Sequence, residues 1–351
     1  MKTPSIPRAV PGKVPWRGGE ASSGLRRRRF VASLALAPLL GNHANAGPVR
    51  FPELKPLTLV VPYPAGGASD AAARILNGPI GEALGQQVLV ENVAGGTGVL
   101  AARRILNSPA DGYAFLHGSV NEIILPPLLN RDLKFQPEDF RLVQPLSSTT
   151  IVLVSRPDLP VSSFDQFIGL AKARGRQGLT FGSVGVGSLY HLITEDLAHR
   201  IGAQFLHVPY KGGAPVLQDL GGGQIDFAIL AYQLNMEGMA QIGRLKLITS
   251  LSRQLPLPLR HLPTIDQSRN LPDFEYEIGG GYYVRHDTPG EALDLLREAV
   301  GKAISIPAVR SRLEAEGRNV MQPMSQVEAD QYHRAMVRRQ KELIRRIGVP
   351  A

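Results

Sequence analysis

Short apolar segments rich in β-branched residues alternate along the chain with longer segments in which apolar residues recur at every third or fourth position. Leu57–Val61 is one such short segment, and the spacing after it becomes helical at Ala72, Ile75, Leu76 and Ile80. A glycine-containing turn separates several strand-like segments from the helix that follows. This pattern predicts an α/β fold in which right-handed crossovers join parallel strands.

The same alternation continues to the end of the chain and favours two α/β lobes over one long sheet. The predicted strands lie at 57–61, 88–92, 113–117, 151–155, 179–183, 205–208, 225–230, 246–250 and 275–284. The predicted helices lie at 68–84, 95–106, 121–129, 163–174, 188–201, 214–220, 236–242, 291–305, 308–316 and 326–347. Prolines between 256 and 272 mark an irregular stretch before the last strand.

Composition is that of an ordinary globular protein. Apolar residues make up 43% of the 351 residues, and cysteine is absent. Disulfides, thiolate catalysis and cysteine-ligated zinc are therefore excluded. The histidines include no H-E-x-x-H motif or other close pair, so the sequence predicts no metal site.

The positive charge is concentrated near the N-terminus. Of the 39 Lys and Arg residues, eight lie within 1–46, together with only one of the 30 acidic residues. Without that segment the net charge falls from +9 to +2, which argues against a nucleic-acid-binding protein. A second basic run, at 334–346, is interleaved with apolar residues at helical spacing. It predicts a packed helix with a solvated basic face, with a docking or membrane helix as the alternative.

Residues 1–46 carry the three parts of an export signal. Four arginines at 26–29 precede an apolar run at 30–40, and an A-x-A cleavage pattern ends at Ala46. This run is shorter than the roughly 20 residues that cross a bilayer. We expect cleavage after Ala46, a mature chain that starts at Gly47, and a periplasmic location; a basic disordered tail is the alternative. The arginine run also resembles a twin-arginine signal, so both export routes stay open.

Three glycine-rich turns, at 64–70, 118–121 and 182–188, follow predicted strands. In open parallel sheets, ligands bind beyond the carboxyl ends of the strands. A helix N-terminus there offers unpaired N–H groups and partial positive charge to a carboxylate or phosphate. The alternative is that glycine provides only turn geometry, with Ser69 or Asp70 as a plain N-cap.

Specific nucleotide and hydrolase motifs are missing. The turn at 182–188 has no lysine before Ser188, so it is not a P-loop, and it lacks the third glycine of the dinucleotide fingerprint. No G-x-S-x-G motif is present. His191 lies one turn into the helix that follows, where it either faces a ligand or forms local hydrogen bonds.

A series of motifs in fixed order identifies a family. It comprises VVPYPAGGASD at 60–70, VEN at 90–92 with GGTG at 95–98, PADGY at 109–113, FGS at 181–183 with His191, HVPYKG at 207–212 and GQID at 223–226. Together these motifs closely resemble the tripartite tricarboxylate transporter receptors, also called Bug receptors, over roughly 57–348. The resemblance implies a periplasmic solute receptor with an α/β, type II-like, two-domain periplasmic binding protein fold. Each domain would be a mostly parallel sheet flanked by helices, with the ligand cleft between the domains.

The resemblance also implies where the domains divide. Domain 1 would comprise 47–147 and 277–351, and domain 2 would comprise 148–276, with the chain crossing near 148–155 and 275–283. Family members bind small carboxylates or related polar metabolites through backbone groups, hydroxyls and ordered waters in place of a salt bridge.

Carried over position by position, the resemblance places the ligand-binding residues in four loops. They are Ala65, Gly66, Gly67 and Asp70 in the first loop, Ser119 and Val120 in the second, Ser183, Val184, Gly187, Ser188 and His191 in the third, and Lys211 and Gly212 in the fourth.

Several positions are more apolar than is usual for the family, namely Val120, Val184, Val186, Leu189 and Leu230. We therefore expect a ligand with one carboxylate or an amide and an apolar portion, in preference to citrate. Glu122 would repel a polycarboxylate if it faced the cleft, whereas solvent exposure at a helix start is the favoured alternative.

Two other classes of function remain as alternatives to a receptor for uptake or sensing. A periplasmic enzyme acting on a small organic acid would need a nucleophile or base held by a partner, and no such constellation is visible. A module that binds only a protein partner is the third hypothesis. We predict no catalytic residue, cofactor or metal. The expected partners of this monomer are a small carboxylate or amide and either a membrane transporter or a sensor protein, but no nucleic acid.

Overall fold

The structure, a computed structural model, describes residues 51–348, and the predicted export signal lies outside them. Its strands are β1 (Leu57–Val61), β2 (Val88–Asn92), β3 (Ala114–Ser119), β4 (Phe140–Ser155), β5 (Leu179–Ser183), β6 (Phe205–Pro209), β7 (Phe227–Ala231), β8 (Lys246–Ser250), β9 (Glu277–Arg285) and β10 (Arg318–Val320). Its α-helices are α1 (Ala68–Leu84), α2 (Val99–Leu106), α3 (Leu125–Leu129), α4 (Phe164–Ala173), α5 (Leu189–Ile201), α6 (Gly213–Gly221), α7 (Asn235–Gln241), α8 (Gly290–Ser305), α9 (Pro307–Ala315) and α10 (Gln326–Ile347).

The strands form one continuous path in the order β2-β1-β3-β9-β4-β7-β5-β6, and β8 and β10 each pair with β4. Parallel pairs join β1 to β2 and β3, and β5 to β6 and β7. Strands β4 and β9 run antiparallel to their neighbours and link the two parallel groups. The alternation of strands and helices within each group confirms the predicted α/β class.

Strand β4 spans both groups and is longer than predicted. Its first part pairs with β9 and β10, and its last five residues pair with β7 and β8. The sequence predicted only 151–155, because 140–150 contains Gln144, Pro145 and a run of hydroxyl residues. These residues are nevertheless buried, because α8 and α10 pack against β4, while β9 and β10 pair along its edges and the register shifts near Pro145.

Helix α1 follows β1 as predicted, but its N-cap differs. Gly67 occupies the N-cap position and no side chain caps the helix, so neither Ser69 nor Asp70 is the N-cap. Gly85 ends the helix in a left-handed conformation with φ 65°, which favours glycine. The N-cap without a side chain leaves the first turn of α1 open toward the space beyond β1.

Two apolar cores hold the strands in place. One packs α1 and α8 against the first group of strands, with Leu76, Phe115, Tyr282 and Leu296 all essentially buried. The other follows β4 into the second group and includes Leu153, Phe181 and Phe227. Together they fix the carboxyl ends of β1, β3 and β7 around a common space.

Helix α10 packs as the predicted amphipathic helix. Met336, Val337, Leu343 and Ile344 are buried, while the basic residues Arg334, Arg338, Lys341 and Arg345 are exposed. None of the helices in 51–348 combines the length and apolar character that a membrane span requires. All of these residues belong to one compact unit, Pro48–Ala351. The predicted limits of two domains within that unit stay a prediction.

Candidate functional site

A small cavity of about 60 Å³ lies where β1, β3 and β7 end. The first group of strands contributes Gly67, Ala68 and Ser69 at the start of α1, and His117, Ser119 and Glu122 at the end of β3. The second group contributes Val184, Leu230, Gln233 and Gly213, and Arg318 of β10 completes the wall. The cavity therefore lies at the position expected for a ligand in an α/β sheet.

Gly67 gives the start of α1 an open approach from the cavity. Its backbone is extended, with φ −90° and ψ 171°, and an added Cβ would meet only the Pro64 carbonyl oxygen, at 3.7 Å. The first N–H groups of a helix have no intrahelical acceptor. A ligand oxygen in the cavity can therefore approach backbone donors that no side chain covers.

Asp70 shapes this loop but does not line the cavity. Its carboxylate accepts hydrogen bonds from the Gly66 N–H at 3.0 Å, from Arg74 Nε at 2.9 Å and from Asn92 Nδ2 at 3.0 Å. Burial alone would raise the pKa of Asp70, but these hydrogen bonds outweigh it and hold the pKa below its usual value. The ionised carboxylate thus fastens the glycine loop to β2.

Glu122 faces inward, so the expectation that it faces solvent is wrong. It is 1% exposed and lines the cavity. Its Oε2 accepts from the Ser119 N–H and hydroxyl at 2.6 and 2.7 Å, and its Oε1 accepts from the Tyr63 hydroxyl at 2.5 Å. Burial raises the pKa of Glu122 against the opposing effect of these hydrogen bonds. A raised pKa weakens the expected repulsion of a carboxylate ligand, because it favours the neutral acid.

Arg318 is the site residue that the sequence analysis missed. It is 4% exposed, its Nη1 donates to the hydroxyls of Ser147 and Thr149, and its Nη2 donates to the Ala68 carbonyl at 2.7 Å. Its Nε has no hydrogen-bond partner, and no carboxylate of residues 51–348 forms an ion pair with it. Burial lowers the pKa of the guanidinium, but the normal value is so high that the group stays charged.

No periodic signal pointed to Arg318. It opens the three-residue strand β10, directly after the end of α9, in a segment that reads as a connection between helices. The one local signal is Gly317, whose φ of 75° allows the tight turn that sends residue 318 back toward β4.

His117 and Gln233 add two further polar groups to the wall. Both are about 5% exposed or less, and the His117 Nδ1 and Gln233 Oε1 atoms have no hydrogen-bond partner within the described chain. Burial and the charge of Arg318 lower the pKa of His117 to about 3. The imidazole is therefore neutral throughout the physiological pH range.

In the third predicted loop, the polar residues bond to one another. The Ser183 hydroxyl donates to the Gly185 carbonyl at 3.0 Å, the Gly187 N–H donates to His191 Nδ1 at 3.1 Å, and Ser188 caps α5. His191 stacks on His207 with ring centroids 4.1 Å apart. Of this loop only Val184 lines the cavity, and the ligand roles predicted for the other four residues stay predictions.

The remaining predicted residues lie beside the cavity. Ala65 and Lys211 line a shallow surface groove, and Gly66 is an exposed residue of the loop whose N–H donates to Asp70. Gly212 lets α6 approach the first loop closely, because a Cβ there would lie 2.8 Å from Pro64 Cδ. Val120 is buried against a separate small pocket beside α10. The structure thus brings Gly67, Ser119 and Val184 together at the cavity.

The expected apolar character of the cavity rests on fewer residues than predicted. Val184 and Leu230 line it, whereas Val186 is 67% exposed and Leu189 is packed in the core. No group of three or more histidine or acidic residues in 51–348 is arranged to hold a metal ion. The cavity is therefore a mixed apolar and polar site with one fixed positive charge.

Comparison with known families identifies the chain. The model of the tripartite tricarboxylate transporter family receptor matches residues 72–349. A protein from the tcbD-tcbE intergenic region of Pseudomonas sp. strain P51 is 32% identical over 92% of this chain and 95% of its own length. BugT of Bordetella pertussis is 30% identical over 82% of this chain and 86% of its own length.

Solved structures show the same fold. The periplasmic binding protein BugD matches with a TM-score of 0.77 and 26% identity, over 84% of this chain and 98% of its own. MatC of Rhodopseudomonas palustris, with bound malate, gives 0.76 and 25% over 84% and 100%. R. palustris Rpa4515, with adipate, gives 0.78 and 28% over 85% and 99%. These matches confirm the predicted two-domain binding-protein fold and the receptor function over the enzyme alternative. The chain belongs to the tripartite tricarboxylate transporter receptor family, a family of periplasmic solute-binding receptors.

Proposed function

We propose that this receptor captures a small carboxylate in the cavity at the ends of β1, β3 and β7, and that Arg318 is the counter-charge for it. The observation that carries the proposal is a buried guanidinium with no acidic partner in residues 51–348. Glu316, two residues earlier, accepts a hydrogen bond from the Leu234 N–H instead. A buried charge without a partner is costly, and a ligand carboxylate would supply the missing partner.

The hydrogen bonds of Arg318 leave one edge of the guanidinium free. A guanidinium has five N–H groups. Two donate from Nη1 to the hydroxyls and one donates from Nη2 to Ala68, which leaves the Nε–H and one Nη2–H. We assign the remaining Nη2–H to the edge that it shares with the Nε–H; that edge matches the spacing of a carboxylate, and such bidentate pairs are among the strongest hydrogen bonds in proteins.

Neighbouring groups support the same ligand class. The open start of α1 at Gly67 adds backbone donors and partial positive charge. The structures of MatC with malate and Rpa4515 with adipate contain carboxylates, and we extend that class to this chain. Val184 and Leu230 would pack against the carbon skeleton.

We propose that some of the predicted site residues contact the ligand and that others hold the loops around it. Gly67, Ser119 and Val184 contact the ligand, because they line the cavity. Asp70, Ser183, Gly187, Ser188, His191 and Gly212 hold the surrounding loops in the shape that the ligand requires. Ala65, Gly66, Val120 and Lys211 do not line the cavity and act through these loops.

The surroundings of the receptor are also part of the proposal. Residues 1–46 direct export to the periplasm, through either the general or the twin-arginine route, since the arginine run at 26–29 resembles a twin-arginine signal. The mature receptor is a monomer that delivers its ligand to a membrane transporter or presents it to a sensor protein. The family of transporter receptors supports the first of these partners.

Calorimetry on the mature protein tests carboxylate capture. Wild type, Arg318→Met and the exposed control Arg312→Met are titrated with acetate, butanoate, succinate, malate, adipate and citrate. We expect at least one small acid to bind wild type and Arg312→Met alike, and Arg318→Met to bind it at least 100-fold more weakly. Circular dichroism checks that Arg318→Met remains folded. Unchanged binding by a folded Arg318→Met would overturn the role of Arg318.

A further inference from the structure

Three residues from different parts of the chain line the cavity and each carries an unpaired polar atom. The atoms are Arg318 Nε from β10, His117 Nδ1 from β3, and Gln233 Oε1 from the loop after β7. All three side chains are at least nine-tenths buried. Buried polar groups in native proteins are almost always hydrogen-bonded, so three unpaired atoms around one cavity indicate a missing partner.

Arg318 and Gln233 require different partners. The guanidinium is a donor only and needs an acceptor such as a carboxylate. The Gln233 side-chain amide has no hydrogen bond within the described residues, so its oxygen needs a donor. In the amide orientation of this structure, a plain carboxylate provides no donor and would leave the Gln233 oxygen unpaired. Gln233 therefore discriminates among small acids by a group other than the carboxylate.

We propose that Gln233 is a specificity-determining residue that selects acids carrying an additional O–H or N–H donor, such as a hydroxy acid or the half-amide of a dicarboxylic acid. This inference rests on the proposed capture of a carboxylate by Arg318. His117 can serve as either a donor or an acceptor, because the Nδ1 atom of its neutral imidazole is protonated in one tautomer and unprotonated in the other.

The position of Gln233 is fixed by its surroundings. Its amide contacts the start of α6, where a Cβ added to Gly213 would lie 2.9 Å from Gln233 Nε2. The preceding residue, Tyr232, packs against Gly317, and its N–H donates to the Thr150 carbonyl at 2.9 Å. Packing against Gly213 and the fixed backbone of the preceding residue limit the positions of the Gln233 side chain, and such preorganisation favours discrimination by one hydrogen bond.

The size of the cavity limits the ligand further. A water-sized atom occupies roughly 10–15 Å³ on the scale used for cavities. The cavity of about 60 Å³ therefore holds a short acid in this conformation, and a longer one requires a wider cleft. Acids with a four-carbon chain are the appropriate probes.

The test compares four-carbon acids that differ only in the additional donor. Butanoate, its 2-, 3- and 4-hydroxy forms, and succinamate are titrated into wild type, Gln233→Leu and the exposed control Gln241→Leu. We expect at least one donor-bearing acid to bind wild type roughly 10- to 100-fold more tightly than butanoate. In Gln233→Leu that ratio should fall to within about twofold while butanoate still binds, and Gln241→Leu should match wild type.

Two results would overturn the selection by Gln233, and only one of them would also overturn carboxylate capture. If wild type binds butanoate and every donor-bearing acid with equal affinity, selection by Gln233 is wrong but carboxylate capture stands. If wild type binds none of these acids nor any acid of the wider panel, carboxylate capture fails and the selection fails with it. A ratio that persists in a folded Gln233→Leu assigns the selection to another residue.

Discussion

The side chain of Asn121 and the backbone of Leu189 are joined across the cleft: Asn121 Oδ1 accepts a hydrogen bond of 2.7 Å from the Leu189 N–H. Asn121 follows β3 in the first group of strands, and Leu189 begins α5 in the second. A further bond runs from the Thr97 hydroxyl to the Val186 carbonyl at 3.1 Å. Both bonds connect loops of the first group of strands to the loop before α5 in the second group, and we expect them to favour a closed state in which the two groups stay together.

Asn121→Ala should destabilise this closed state. Loss of a buried hydrogen bond to a backbone N–H costs about 1–3 kcal/mol. We expect ligand release in stopped-flow experiments to be roughly tenfold faster, and small-angle scattering to show a larger radius of gyration without ligand. Asn130→Ala, which removes an exposed local bond to Asp132, is the control. Unchanged release and an unchanged radius would contradict a role for this bond in closure.

Gly67→Val should abolish ligand binding with little loss of stability. Valine adopts the extended backbone of Gly67 readily, and its side chain would project into the space beside the start of α1. Thermal denaturation should show a folded protein, and calorimetry no binding. Gly78→Val, the same change at an exposed position of α1 with free space around it, is the matched control. Normal binding by Gly67→Val would exclude the helix start from the site.

His117 should make the receptor less stable as the pH falls. Its pKa is about 3 in the folded chain, against an ordinary value of 6.5. Between these values the unfolded chain holds a proton that the folded chain does not, so acid favours unfolding. Denaturant unfolding between pH 5.5 and 4 should give His117→Gln a slope of stability against pH that is shallower by about 1.4 kcal/mol per pH unit. His199→Gln, at an exposed position of α5, is the control, and an unchanged slope in His117→Gln would mean that His117 titrates normally.

Two capping boxes of the same type should respond to pH with opposite sign. Ser119–Glu122 is buried, and burial raises the pKa of Glu122; Ser325–Glu328 is exposed, and its hydrogen bonds from Ser325 lower the pKa of Glu328. The contribution of Glu122 is present at low pH and lost as pH rises above 4.5, whereas that of Glu328 is present above 4.5 and lost as pH falls.

Unfolding measured from pH 4 to 7 should therefore separate the two. Glu122→Gln should gain stability relative to wild type as pH rises, and Glu328→Gln should lose it. Parallel curves for the two variants would show that burial does not govern the protonation of Glu122.

Export should remove the N-terminal segment. Mass spectrometry of the periplasmic protein is expected to show Gly47, or a residue within a few positions of it, at the N-terminus. Replacing the arginines at 26–29 with lysines should block export only if the twin-arginine route is used. An uncleaved leader in the periplasmic pool would refute the predicted processing.

The regular elements could be predicted from sequence because their apolar spacing is set by one buried face. Leu57–Val61 and Ala68–Leu84 are examples in which spacing, glycine stop and structure agree. The first part of β4 was missed because polar residues are buried there by the helices α8 and α10 that pack against the strand. Periodicity reports the distribution of apolar residues and therefore carries no signal for such a strand.

The candidate site was predicted only in part, because apolar spacing locates the ends of regular strands but not residues in short or irregular segments. Gly67, Ser119 and Val184 follow strands whose ends could be located, so their convergence could be expected. Arg318 and Gln233 reach the cavity from a three-residue strand and an irregular loop, and only the tertiary structure brings them there. The inward orientation of Glu122 depends on Tyr63, which lies 59 positions away in the chain.

The order of the strands has a consequence for how the chain acquires its structure. Strand β9 lies between β3 and β4 in the sheet, although 121 residues, which include the whole second group of strands after β4, separate the end of β4 at Ser155 from the start of β9 at Glu277. Until Glu277–Arg285 has been synthesised, the inner edges of β3 and β4 expose unpaired N–H and C=O groups. Closure of the first sheet is therefore a late step of high contact order. Slow folding of this kind keeps the chain unfolded for longer, so that it can still be threaded through a membrane channel. A polypeptide released before that strand should aggregate, and both cores are complete only after α8 and α10 have followed it.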